Sequence, residues 1–143
     1  INDSAPIVKN VDPFNSNIFL SSLKRGVAHA KNTKLPNEEG NVYLFAHSTD
    51  AFYNVSKYNA VFYLIGKLEK NDEIKIYFED KEYVYSVTDK KVVSAEDTKY
   101  LTTNIKEKIL TLQTCYPPGT TFKRLIVIAK QINWFVIDNV PII

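Results

Sequence analysis

Residues 108–131 read KILTLQTCYPPGTTFKRLIVIAKQ. Two apolar, β-branched runs flank a Tyr-Pro-Pro-Gly break. Proline lacks the N–H that a central ladder requires, so neither run continues through the break. The stretch predicts two antiparallel strands, Lys108–Cys115 and Lys123–Gln131, joined by one tight loop. Nine positions separate Cys115 from Arg124, so the two residues fall where the strand ends meet. At period two, Arg124 shares a face with Ile126 and Ile128. An arginine in line with apolar side chains needs a partner or a pocket.

The same reading extends outward. Ala5–Val11 is short and extended, and Asn41–His47 (NVYLFAH) is apolar with aromatic and β-branched content. Glu73–Glu79 alternates Ile74, Ile76 and Phe78 on one face. Glu82–Thr88 follows directly, so the pair reads as a hairpin turning at Asp80-Lys81, with Lys91–Ser94 as its continuation. Trp134–Ile137 completes the strands. Helical signals are weaker. Phe19, Leu20 and Leu23 give helical spacing within Asn15–Lys24, and Phe62, Leu64 and Ile65 within Ala60–Leu68. These elements predict a mainly β fold, a mostly antiparallel barrel or sandwich with one or two short helices.

Composition agrees. The 143 residues are 45% hydrophobic and 24% charged, which suits one globular domain spanning 1–143 and excludes disordered, collagenous and coiled-coil chains. A net charge of +2 offers no footprint for a polyanion, so no nucleic-acid partner is expected. The longest apolar run, Ala60–Ile65, is far short of the about 20 residues that span a bilayer. The chain begins at Ile1 without an initiator Met, so the expectation is a fragment whose targeting segment was removed. One cysteine makes no internal disulfide. Two histidines and one cysteine at these spacings fit no zinc pattern, so neither metal nor cofactor is expected.

The chemistry-bearing residues sit at strand ends. Cys115 ends an apolar run where a loop begins, and His47 ends another before Ser48-Thr49-Asp50. Taken singly, each has a plain reading. A lone cysteine is usually a small buried hydrophobe, a strand-end histidine a backbone partner, and Arg124 a solvated edge residue. His29, in Gly26-Val27-Ala28-His29, rivals His47. Together the three residues make a cysteine acyl-transfer set. A thiol becomes a nucleophile near a base or a positive charge. A guanidinium can hold an oxyanion, and an imidazole can move the proton.

TLQTC at 111–115 resembles the TLxTC signature of sortases, the transpeptidases of bacterial cell envelopes. Arg124, opening RLIVIA, matches the family's Arg-Leu-apolar strand after the nucleophile. GVAHAKNTKLPNEEGNVYLFAHS at 26–48 resembles the family's Gly-Val-x-His, Thr-x-Leu-Pro and Gly-Asn blocks and its strand ending in the active-site histidine. The three blocks occur in order across roughly 26–129. The resemblance implies a closed antiparallel or mixed β-barrel of about eight strands, with Cys115 as the nucleophile, His47 as the acid/base and Arg124 as the oxyanion and substrate-positioning group. His29 then falls on a segment that is not catalytic. Thr114, Leu112, Ala46 and Ser48 are the implied substrate-binding residues, with Thr114 lining the peptide groove.

The resemblance further implies a two-step exchange on the extracytoplasmic, cell-surface side of the membrane. Cys115 attacks the Thr carbonyl of an LPxTG-like sorting signal, and an amine then opens the thioacyl enzyme. The acceptor would be a cell-wall precursor or a pilin lysine. Contact with the membrane would come only through a missing N-terminal anchor. Asp12-Pro13-Phe14 resembles the lid of pilin-polymerising members, whereas the residues alone read as a helix-entry turn. Glu38-Glu39, Asp80 and Glu82 read as solvated loop charges and not as a calcium site. Three other functions stay open on the residues: a non-catalytic barrel binding module using the nine Tyr and eight Phe, a hydrolytic cysteine peptidase, and a sortase domain that has lost activity.

Overall fold

The computed structural model describes residues 6–15, 17–18, 26–46, 64–97, 99–101, 106–117 and 122–137. Among these residues seven strands form one mixed sheet: β1 (Ile7–Val11), β2 (Val27–Ala30), β3 (Gly40–Phe45), β4 (Glu73–Phe78), β5 (Lys81–Ser94), β6 (Lys108–Tyr116) and β7 (Lys123–Val136). Their order in space is β1-β2-β3-β6-β7-β5-β4. The stretch that opened the sequence reading is the centre of this sheet. β6 and β7 pair antiparallel from Ile109↔Lys130 to Tyr116↔Lys123. On the other side of β6, β3 runs parallel to it, from Gly40↔Lys108 to Phe45↔Gln113.

The sheet curls because its long strands are bent. β5 and β7 each run 14 residues, and their register slips between Val84 and Tyr85 and between Val87 and Asp89. Each slip is a bulge that adds twist and bends the ladder. The curl brings the two edge strands toward each other: Lys9 Nζ of β1 lies 5.5 Å from the Phe78 ring centroid of β4. No ladder joins these edges among the described residues. Among the described residues the barrel expected from sequence is therefore a seven-stranded, curled sheet with an open seam, and not a closed eight-stranded ring.

Several local expectations shift for physical reasons. The two C-terminal strand candidates are one strand, because a bulge at Ile132 carries the chain from Gln131↔Tyr85 to Asn133↔Val84 without a break. The hairpin turns at Glu79-Asp80, one residue earlier than expected. Both have positive φ, 48° and 63°, the conformation that two-residue hairpins need to match strand twist. β2 gives no sequence signal because Val27, Ala28, His29 and Ala30 are all buried and show no alternation. Of the Ala60–Leu68 helix expectation, only the 3-10 turn Leu64–Lys67 lies within the described residues, and a second 3-10 turn, Lys99–Leu101, was not signalled. The Asn15–Lys24 helix lies mostly outside the described residues. Its start is visible. The Asp12 carboxylate accepts the Phe14 N–H at 2.9 Å, and Asn15 Oδ1 accepts the Ile18 N–H at 3.3 Å. Asp12-Pro13-Phe14 is thus a turn against Lys31–Thr33, at the β1 end of the sheet, with Asn15 as the helix cap.

The core fills the concave side with Val42, Leu44, Leu110, Leu112, Leu125, Val127, Ala129 and Val87, while Ile65 from the first 3-10 turn packs into the same cluster. β1 is fixed by close contact. A Cβ at Gly26 would sit 2.3 Å from the Pro6 carbonyl oxygen, which accepts the Val27 N–H at 2.9 Å. Only glycine admits this approach.

His29 ties the same region together. Its side chain is 1% exposed. Nδ1 accepts the Asn10 N–H at 3.2 Å, so Nε2 carries the proton and donates to the Lys34 carbonyl at 2.8 Å. Burial holds its pKa below 6.5, with Lys9 acting the same way against the Lys34 bond and Glu38. A lowered folded pKa means that the unfolded chain takes up a proton first as pH falls. His29 therefore stabilises the fold fully above about pH 6.5, and that share is lost as pH drops toward the folded value. His29→Leu is expected to cost roughly 1–3 kcal/mol near neutral pH, since it removes the buried ring that partners two part-buried backbone groups. Thermal melts at about pH 7.5 and about pH 5.5 check the linkage: the wild type should lose more stability between them than the variant.

Candidate active site

Cys115 and Arg124 are direct cross-strand partners on β6 and β7. Side chains alternate across a strand, and paired residues of neighbouring strands share a face. One face therefore carries, in successive rows across β3, β6 and β7, Tyr43–Thr111–Ile128 and then Phe45–Gln113–Ile126. The next row on that face is Cys115–Arg124, and β5 adds Val93 beside Arg124. The opposite face carries Leu44–Leu112–Val127 and Thr114–Leu125, which belong to the concave side.

The thiol of Cys115 is half-buried. Burial pushes its pKa above 9.0, and the Arg124 charge pulls it partly back. Arg124 Nη1 donates to the Lys123 carbonyl at 3.1 Å. The guanidinium also acts on Tyr43, whose phenol burial holds far above its ordinary range while Arg124 opposes the shift. Glu96 sits below its ordinary value, first through a bond from the Ser94 hydroxyl and least through Arg124. Arg124 is thus a cation whose charge acts on a thiol, a phenol and a carboxylate. At neutral pH the neutral thiol is the dominant form. Iodoacetamide alkylation is therefore expected to rise with a midpoint above pH 9.0, and Arg124→Ala should move it higher. A midpoint below that value would contradict the electrostatics.

Polar pairs run along the same face. The Thr111 hydroxyl donates to Asn41 Oδ1 at 2.8 Å, in full burial. Asn41 Nδ2 donates to the Tyr100 carbonyl at 2.7 Å, which draws the second 3-10 turn over the sheet. One row nearer the thiol, the Tyr43 hydroxyl donates to Gln113 Oε1.

The structure thus joins Cys115 and Arg124. His47 and Ser48 lie outside the described residues, which reach Ala46 on this strand. Ala46 is buried, and its N–H donates to the Gln113 carbonyl at 3.2 Å. Leu112 and Thr114 are 5% and 1% exposed and occupy the concave face, away from Cys115. Among the described residues the Thr114 hydroxyl has no hydrogen-bond partner. Gln113 and Tyr43 were missed. Counting back in twos from Cys115 would have found Gln113 and Thr111 on the thiol's face, where Leu112 and Thr114 have the wrong parity. Among the described residues no group of three or more His, Cys, Asp or Glu side chains stands ready for a metal.

Comparison with known proteins gives a consistent result. A family model described as the sortase domain matches residues 1–132. The sortase D of Bacillus subtilis strain 168 is 30% identical over 136 residues, covering 93% of this chain, and the chain spans 60% of that protein's length. A Clostridium perfringens sortase D5 transpeptidase has 32% identity and a TM-score of 0.70, covering 89% of this chain and 70% of that one. A Clostridium perfringens sortase C, solved with the C-terminal cell wall sorting motif, has 26% identity and a TM-score of 0.71. It covers 90% of this chain and 63% of that one.

Proposed function

The chain belongs to the sortase family, and from that premise we propose that it is a cysteine transpeptidase acting on an LPxTG-like sorting signal. The observation that carries the reading is the direct pairing of Cys115 with Arg124 across β6 and β7. It sets a half-buried thiol beside a permanent cation on one face of a rigid sheet.

In the proposed reaction the peptide lies along that face. Cys115 Sγ forms a bond to the Thr carbonyl carbon, and the carbonyl oxygen becomes an oxyanion beside the Arg124 guanidinium. The C–N bond to Gly breaks, and His47 gives the leaving amine its proton. An incoming amine then attacks the thioester, His47 takes the surplus proton, and Cys115 leaves as the thiol or thiolate. His47 is assigned from the sequence resemblance. One sequence count supports it: His47 follows Phe45 by two positions, and Cys115 follows Gln113, the partner of Phe45, by two positions.

A raised thiol pKa favours a reaction in which the reactive thiolate–imidazolium pair is a minority form, and turnover is then slow. Sortases act on the cell-surface side of the membrane. We assign this chain to the same side, with a sorting-signal peptide and an envelope amine as its partners. No helix among the described residues is long and apolar enough to cross a membrane. Product analysis tests the reading. With an LPxTG-type peptide and a glycine-based amine, a transpeptidase gives the joined amide. Free acid alone under the same conditions would indicate a hydrolytic peptidase.

A further inference from the structure

Gln113 stands one row from the thiol, on the same face as Cys115 and Arg124. Two strand positions span about 7 Å, which is also the reach of two residues of an extended peptide. The residue is half-buried, so a peptide lying on this face can touch it. Its side-chain oxygen is occupied, because the Tyr43 hydroxyl donates to Oε1. Tyr43 is 3% exposed and cannot swing away without opening the core. Burial keeps its phenol protonated across the working range, so this donor is permanent.

A primary amide held by its oxygen must present its NH2 group elsewhere. That group has no hydrogen-bond partner among the described residues. The neighbours in the row, Phe45 and Ile126, are apolar and offer it none. Among the described residues it is therefore a half-buried donor one row from the nucleophile, its amide oxygen fixed by Tyr43.

We propose that Gln113 is a substrate-positioning residue, whose Tyr43-oriented amide donates to a backbone carbonyl of the bound peptide about two residues from the scissile bond. This rests on the transpeptidase reading above. An extended peptide has an unpaired carbonyl at that spacing, and a neutral donor that is already oriented loses little entropy on meeting it. Gln113 acts on binding of the acyl donor. It does not touch the reacting atoms.

The test combines variants with altered peptides. In LPxTG-type peptides, single backbone carbonyls other than the scissile one are replaced by thioamides, whose sulfur is a poor acceptor. For the wild type, one such replacement should raise KM about five- to tenfold. Gln113→Leu should raise KM for the unmodified peptide by a similar factor and be insensitive to the same thioamide. Tyr43→Phe, which leaves the amide free to rotate, should fall between. The KM for the amine and the alkylation rate of Cys115 should stay unchanged in Gln113→Leu, which a merely structural role would not allow. Equal thioamide sensitivity in wild type and Gln113→Leu would overturn the proposal while leaving the transpeptidase reading intact. A wild type that acts on no sorting peptide, with its thiol still reactive, would overturn both.

Discussion

Replacing Cys115 by alanine is expected to reduce peptide transfer by at least about 10⁴-fold, to the level of the uncatalysed reaction. The proposed reaction needs a covalent thioester, and Cys115 is the only thiol in the chain. Among the described residues no ready substitute stands on its face, where the nearest side chains of β6 and β7 are Gln113, Arg124 and Ile126. The loss should be chemical and not structural. Cys115 is half-buried at a strand end, and exchanging a thiol for a methyl there removes little packing, about 1 kcal/mol or less. Transfer rates measured beside a thermal melt separate the two: activity should vanish with the melting temperature nearly unchanged. Retention of a tenth of the wild-type rate would remove Cys115 from the mechanism.

Arg124→Ala should lower kcat by about 10²–10³-fold with a smaller change in KM. Its charge is directed at an oxygen that is negative only in the transition state, so its contribution falls on the chemical step. A second effect has the same sign. Arg124 partly offsets the upward shift of the Cys115 thiol, so the variant holds less thiolate at any given pH. The two effects separate at high pH, where the thiolate deficit closes and the oxyanion loss remains. Arg124→Lys should recover only part of the rate, because an ammonium restores the charge without the fixed fork of donors. Full recovery at high pH in Arg124→Ala would mean that the arginine only tunes the thiol.

The residues themselves explain which parts of this fold can be read from sequence. β6 and β7 are legible because two β-branched runs are broken by Pro117-Pro118-Gly119, and prolines end a central strand whatever the tertiary context. β4 and β5 are legible because one of their faces meets solvent, so Ile74, Ile76 and Phe78 stand out at period two. β2 is illegible for the opposite reason. With all four residues buried, neither face carries a polar marker, and alanine and histidine have little strand preference. The bulges of β5 have no sequence signature, yet they bend the sheet. The count of strands and the open seam between β1 and β4 were hidden with them.

The candidate site divides along the same line. The Cys115–Arg124 pairing follows from one short loop and its nine-position spacing. The groove residues depend on parity. Thr114 and Leu112 adjoin Cys115 and Gln113 in sequence but turn to the concave face. The Tyr43–Gln113 pair depends on a parallel neighbour, β3, that lies some seventy residues away in the chain, and no local pattern announces such a pairing.

The most direct test of the central claim is an intact mass measurement after incubation with an LPxTG-type peptide, run beside Cys115→Ala. The account predicts a species heavier by the acyl half of the peptide on the wild type alone, and its disappearance when a glycine-based amine is added. An unmodified wild-type mass, from protein whose thiol is still open to alkylation, would contradict it.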